Sequence, residues 1–92
     1  MPTKRATLKI YGLVQGVGYR YMSQKKAREL RFTGFVHNQD DGTVEVVAEG
    51  PEDKLKDFTR WCYNGVGPAM VHKIEESWSS ATGEFSDFTI ND

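Results

Sequence analysis

A glycine-containing stretch near the start of the chain has residue types suited to holding a small anion. It covers residues 14–20, reads Val-Gln-Gly-Val-Gly-Tyr-Arg, and is called the 14–20 loop below. Gly16 and Gly18 let the backbone adopt conformations that other residues avoid, so that successive N–H groups can point inward at one ligand. Arg20 adds a permanently charged guanidinium that forks onto two oxygen atoms. A dianionic tetrahedral group fits this combination, and a plain glycine-containing connection beside a surface arginine is the alternative.

The 14–20 loop matches neither of two common phosphate-binding motifs. No Gly-Lys-Ser/Thr follows it, as a Walker loop requires, and Tyr21 stands where a dinucleotide-binding loop has its third glycine. Nucleotide binding of those two kinds is therefore excluded.

Asn38 is the second candidate. It ends a run of bulky residues just before Asp40-Asp41-Gly42, although asparagine is a poor strand former. Its amide could accept from and donate to a bound water molecule, or it could simply initiate the turn. Asp40 and Asp41 are interpreted as turn residues and not as general bases, because their charge would repel a phosphate dianion.

The remaining reactive side chains give weaker signals. His37 and His72 lack metal-ligand spacing and are interpreted as exposed strand residues. Cys62 falls on the apolar side of a predicted helix and is interpreted as a small buried hydrophobe. As the single cysteine it also excludes a disulfide framework and a multi-cysteine zinc site. Ser23 has no neighbour that would activate it as a nucleophile.

Composition predicts one soluble globular domain spanning residues 1–92. The chain is 38% hydrophobic and 27% charged, and it has no apolar run near the ~20 residues that a membrane span needs. The formal net charge of −1 gives no basic excess for nucleic acid. Residues 1–31 nevertheless contain eight basic side chains against Glu29 alone, a net charge of +7, which could focus a small anion there. No secretory signal is evident, so we expect a cytoplasmic location.

Hydrophobic periodicity and turn residues predict alternating strands and helices. The predicted strands cover residues 7–13, 35–38, 43–48, 70–79 and 85–90, and the predicted helices cover 20–31 and 52–64, the second stopped by Gly65 and Gly67-Pro68. The order is βαββαβ with a short terminal strand, which is the ferredoxin-like α/β (α+β) pattern of two helices on one face of an antiparallel sheet. The first two strands run parallel in this pattern, so the 14–20 loop and Asn38 are expected at one edge of the sheet.

Taken together, these stretches resemble the acylphosphatase family. Residues 12–20, Gly-Leu-Val-Gln-Gly-Val-Gly-Tyr-Arg, resemble the first signature of the family. Residues 34–44, Gly-Phe-Val-His-Asn-Gln-Asp-Asp-Gly-Thr-Val, continue to Gly50 and resemble the second. Gly67-Pro68 and the ending over residues 83–90 also fit, so the similarity spans nearly the whole chain.

The resemblance implies a small monomeric hydrolase that cleaves acyl phosphates to a carboxylate and inorganic phosphate. It implies that Arg20 binds the phosphate and that Asn38 positions the attacking water. The backbone groups that it implies in the phosphate cradle belong to Gln15, Gly16, Val17, Gly18, Tyr19 and Arg20.

The chemistry implied by the resemblance is compatible with this set of residues. Phosphoryl transfer depends mainly on positioning and charge stabilisation, which an arginine and a nest of amides can supply. We therefore expect neither a metal nor a cofactor. We expect small-molecule acyl phosphates as substrates and a monomeric protein that binds neither nucleic acid nor membranes.

The sequence is also compatible with three other functions. The same fold without turnover would be a phosphate- or anion-binding module. Residues 31–36 faintly resemble an RNA-binding strand motif, but they lie on the second strand instead of the third. The third reading is the acylphosphatase-like domain that opens larger carbamoyl-transfer maturation proteins.

Overall fold

The computed structural model describes residues 3–64 and 67–91, so Gly65, one of the predicted helix stops, lies outside them. Within these residues the chain forms two helices and five strands. They are β1 (Thr3–Leu13), α1 (Tyr19–Glu29), β2 (Thr33–Asn38), β3 (Val44–Pro51), α2 (Glu52–Asn64), β4 (Met70–Ser80) and β5 (Phe88–Asn91). The predicted βαββαβ order with a terminal strand is confirmed.

The five strands form one mixed sheet in the order β4-β1-β3-β2-β5. β1 is antiparallel to both β3 and β4, and β2 is antiparallel to β3. β1 and β2 therefore run in the same direction with β3 between them, while β5 extends the sheet by pairing parallel to β2. This is the ferredoxin-like topology that the sequence pattern predicts.

Apolar residues at alternate strand positions point to one face of the sheet, and the two helices cover that face. Leu8 and Ile10 of β1 are fully buried, and so is Phe58 of α2, which packs into the same core. Helix α1 covers β2 and β5, and α2 covers β1, β3 and β4. Neither helix in the described part of the chain has the length and apolar character needed to cross a bilayer.

Helix α1 ends two residues earlier than its polar–apolar pattern predicts. Arg31 has a φ of 62°, and its N–H donates to the carbonyl of Arg28 at 3.0 Å. The N–H of Phe32 donates to the carbonyl of Ala27 at 2.9 Å. These two bonds form a Schellman motif with Arg31 at the position that glycine usually takes. The absence of glycine there explains the predicted end at residue 31.

The terminal strand is shorter than predicted because Phe85 lies in the preceding loop. Its ring packs edge-on against Phe35, on the sheet face that carries no helix, and the Arg5 guanidinium lies 5.1 Å from the centre of the Phe85 ring. Pairing with β2 begins only at Phe88, which is opposite Gly34. The strand predicted over residues 85–90 therefore begins too early, because it includes Phe85 of the loop as well as residues of the strand Phe88–Asn91.

A buried carboxylate holds this loop against the sheet. Glu49 of β3 is 5% exposed and accepts a hydrogen bond from Arg5 Nε at 2.8 Å. It also accepts from the backbone N–H groups of Thr82 and Gly83, each at 3.0 Å. Burial alone would raise the pKa of Glu49, but these donors outweigh it and hold the pKa below its usual value.

Glu49→Gln is expected to lower the free energy of unfolding by about 2 kcal/mol at pH 7, because an amide cannot accept from every donor that the carboxylate satisfies. The lowered pKa makes this stabilisation present above the unfolded-state pKa, and it is lost as pH falls through the folded-state value. Urea unfolding at pH 7 and at about pH 3 should show the gap between wild type and variant closing on acidification.

The matched control is Glu84→Gln, which alters an exposed carboxylate that contacts the same arginine. This exchange should have little effect on stability, because exposed ion pairs contribute little. A gap between wild type and Glu49→Gln that persists at low pH would contradict the account of Glu49.

Candidate active site

The chemistry-bearing residues of the sequence meet at one edge of the sheet. β1 ends at Leu13 and leads through the 14–20 loop into α1, while β2 ends at Asn38. Because β1 and β2 run in the same direction, both ends lie at this edge, as predicted. β5 is parallel to β2 and brings Ile90 toward the same edge.

Side chains that are buried in the core hold the 14–20 loop in place. Val14 and Tyr19 are each 1% exposed, and Val17 packs against the core. The hydroxyl of Tyr19 donates to the backbone carbonyl of Cys62 in α2 at 2.9 Å. Burial, followed by the nearby Cys62, raises the pKa of Tyr19 above its usual range. Tyr19 is therefore a structural support of the loop and not an acid or base.

Both glycines of the loop adopt the backbone conformation expected of them. Gly16 has a φ of 77° and Gly18 a φ of 81°. A Cβ built at either position would meet nothing within 4 Å, so space alone would tolerate a side chain. Glycine is favoured here by the left-handed backbone, a conformation in which successive N–H groups can form an anion-binding nest.

The start of α1 presents uncapped donors beside this loop. Gly18 is the N-cap, makes no side-chain capping bond, and is followed by a first turn without an acidic residue. The first N–H groups of any helix have no intrahelical acceptor, and the helix dipole adds partial positive charge there. Arg20, in the same turn, is half-buried. The N-terminus of α1 thus favours the binding of an anion.

A surface depression of about 360 Å³ lies at the N-terminus of α1. Gly16, Gly18 and Arg20 line it together with the buried Val14 and Tyr19. Two further lining residues, Tyr21 and Ile90, are not among the site residues predicted from the sequence. Other depressions lie between α2 and β4, away from the 14–20 loop.

The side chain of Gln15 links the 14–20 loop to the turn after β2. Its amide nitrogen donates to the carbonyl oxygens of Gln39, at 2.8 Å, and Thr43, at 2.9 Å. Sequence reasoning considered only the backbone of Gln15 and missed this contact. A long amide side chain beside flexible glycines was the available signal.

The turn after Asn38 is held by other residues. Gln39 N–H donates to the Thr43 carbonyl at 2.9 Å, and Thr43 N–H donates to Asp41 Oδ1 at 3.0 Å. Hydrogen bonds from Thr43, followed by the bond from Lys9, lower the pKa of Asp41 to about 2. Asp41 is therefore an ionised turn residue, as predicted, and is unsuited to general-base chemistry.

Asn38 contains a buried acceptor that the protein leaves unused. Its Oδ1 is buried and accepts no hydrogen bond from the described residues. Such an atom costs free energy unless a water or ligand fills the position. The hydrogen bonds that hold the turn run through Gln39, Asp41 and Thr43, and Asn38 Oδ1 takes no part in them.

The other reactive side chains are placed away from this edge or are engaged elsewhere. Cys62 is buried as predicted, and burial raises the pKa of its thiol to about 12. His37 is half-buried instead of exposed, because its Nε2 lies 2.6 Å from Glu45 Oε1 on the neighbouring strand. His72 is exposed. Within the described ranges, no group of three or more His, Cys, Asp or Glu side chains could hold a metal ion.

Comparison with known proteins agrees with this architecture. The family model described as Acylphosphatase matches residues 6–90. An acylphosphatase of Arthrobacter sp. (strain FB24) is 49% identical over 86 residues, which cover 94% of this chain and 79% of that protein. An acylphosphatase of Paenarthrobacter aurescens (strain TC1) is 44% identical, covering 98% of this chain and 96% of that protein.

The same relationship holds in three dimensions. The crystal structure of the acylphosphatase from Bacillus subtilis superposes with a TM-score of 0.92 at 36% identity, covering 97% of this chain and 99% of that one. The family match over residues 6–90 includes both the 14–20 loop and the Asn38 turn. The chain therefore belongs to the acylphosphatase family.

Proposed function

We propose that this protein hydrolyses acyl phosphates, R–CO–O–PO₃²⁻, to a carboxylate and inorganic phosphate by direct attack of water. Family membership supports the reaction. The observation that supports the mechanism is the unsatisfied Oδ1 of Asn38, at the same sheet edge as a loop and helix end that favour an anion.

In this proposal the phosphoryl group lies in a cradle formed by the backbone of residues 15–20 and by Arg20. Two glycines with positive φ and an uncapped helix start supply N–H donors, and the guanidinium supplies a fork for two oxygens. Charge that develops on the transferring group meets donors that are already in place. The cradle would thus bind the transition state through positioning and electrostatics.

Asn38 would hold the water that attacks phosphorus. Its buried Oδ1 would accept one O–H of that water and so orient the oxygen lone pair. The Gln15 side chain would fix the distance between this water and the cradle, because it bonds directly to the residue that follows Asn38. Orientation of this kind lowers the entropy cost of attack.

In this mechanism, hydrolysis needs no side chain to act as a general base. The water oxygen forms a bond to phosphorus, the bond from phosphorus to the acyl oxygen breaks, and the electron pair leaves with the carboxylate. We assign the released proton to a phosphoryl oxygen. The described residues that line the depression, which do not include Asn38, contain no Asp, Glu or His that would accept it. A carboxylate is a stable leaving group and needs no strong general acid.

We also propose that the protein acts as a cytoplasmic monomer. Every group assigned to the reaction belongs to one chain, so a second copy is not required. The lone cysteine is buried with a raised thiol pKa, and its thiol is not available for cross-linking.

Arg20→Ala is expected to reduce kcat/KM for benzoyl phosphate, assayed with EDTA present, by at least about 10²-fold, because it removes the charged fork. Arg20→Lys should stay impaired more than about tenfold, since a point charge cannot bind two oxygens in one plane. Inhibition by inorganic phosphate should weaken in parallel.

Arg28→Ala is the matched control for Arg20, because it removes a guanidinium from the same helix that pairs with Asp87 at 3.0 Å on the surface. It should keep wild-type kinetics. Normal turnover by Arg20→Ala would refute the assigned role. Phosphate binding by the wild type without any turnover would instead identify an anion-binding module.

Asn38→Ala should lower kcat by about 10²-fold while the inhibition constant for inorganic phosphate changes by less than about twofold. The reason is that Asn38 contacts the water and not the phosphoryl group. Steady-state kinetics with phosphate as a competitive inhibitor separates the two effects. Equal losses in turnover and phosphate affinity would show that Asn38 binds the phosphoryl group.

A further inference from the structure

The depression at the start of α1 is larger than the phosphoryl group requires. Its volume is about 360 Å³, and the space is partly open to solvent. A phosphoryl group, PO₃, has only four heavy atoms. The cradle residues account for only part of the wall, and the rest comes from the buried Val14 and from Tyr21 and Ile90.

Both of these side chains are apolar surfaces left open at the rim. Tyr21 is 61% exposed and Ile90 is 37% exposed. Two regular elements hold them beside Arg20, since Tyr21 follows it in α1 and Ile90 is paired with Val36 in the sheet. Both side chains therefore share the depression with the cradle residues and border the space that a phosphoryl group leaves unfilled.

We propose that Tyr21 and Ile90 form the subsite for the acyl group and make aromatic or bulky apolar acyl phosphates the preferred substrates. This inference rests on the proposed function. An apolar acyl group would remove the tyrosine ring and the isoleucine from water, whereas an acetyl or carbamoyl group is too small to cover them.

Charge supports the same substrate class. Arg20 is the one charged side chain among the described residues that line the depression, and the phosphoryl group occupies it in the proposed mechanism. An acyl group with its own carboxylate would therefore find no partner in the subsite.

Two other exposed apolar residues at this edge provide a matched control. Leu13 and Met70 are paired between β1 and β4, and they are 55% and 61% exposed. Neither lines the depression. Met70→Ala therefore removes a comparable exposed apolar side chain at the same sheet edge without altering the proposed subsite.

The test compares kcat/KM for benzoyl phosphate and acetyl phosphate in the wild type, Tyr21→Ala, Ile90→Ala and Met70→Ala. The benzoyl-to-acetyl ratio should fall about tenfold in Tyr21→Ala and about threefold in Ile90→Ala, at the lower end for apolar pockets because the site is partly open. Met70→Ala should keep the wild-type ratio. Inhibition by inorganic phosphate should be unchanged in all three variants.

The possible failures are distinguishable. Wild-type ratios in both Tyr21→Ala and Ile90→Ala, with both substrates still hydrolysed, would overturn the subsite and leave the proposed function intact. An equal fall in Met70→Ala would overturn the assignment to these two residues. A wild type that hydrolyses neither substrate would overturn the subsite together with the proposed function.

Discussion

The proposed site depends on closing a gap that the topology creates. β1 and β2 end at the same edge of the sheet, but β3 lies between them, so their ends are separated by two strand spacings, about 10 Å. The Gln15 side chain spans the start of β3 and donates to the carbonyls on either side of the turn, at Gln39 and Thr43. One amide thereby sets the distance between the 14–20 loop and Asn38.

The core and the helix-free face of the sheet position the two sides of the depression separately. Val14, Tyr19 and the bond from Tyr19 to the Cys62 carbonyl hold the loop from inside. On the opposite face, Glu49 binds the loop that leads into β5. That strand carries Ile90 at the rim, so a buried carboxylate holds the segment that leads to one wall of the proposed acyl subsite.

Local chemistry made part of this arrangement predictable. Gly16 and Gly18 adopt positive φ as predicted, and the α2 bounds of Glu52–Asn64 follow from its helical spacing and flanking residues. The shared edge of the 14–20 loop and Asn38 followed from the βαβ crossover. The roles of Arg20 and Asn38 entered only through resemblance to a family, because spacing alone left a surface arginine and a turn residue as alternatives.

The features that were not predicted depend on contacts between residues that are far apart in the sequence. Gln15 reaches residues 24 and 28 positions away, and Phe85 packs against Phe35 across the sheet. Tyr21 and Ile90 lie far apart in the chain and form one wall only when β5 is added beside β2. Neither periodicity nor turn chemistry encodes such pairs, because both describe neighbours along the chain.

The central claim is that the protein holds the phosphoryl group and delivers water to phosphorus. Hydrolysis of benzoyl phosphate by the wild type in water labelled with oxygen-18, followed by mass spectrometry of both products, tests it most directly. The label from each turnover is expected in inorganic phosphate, and benzoate is expected to remain unlabelled. Label in benzoate would show attack at the carbonyl carbon and would contradict the assignment of the cradle and Asn38.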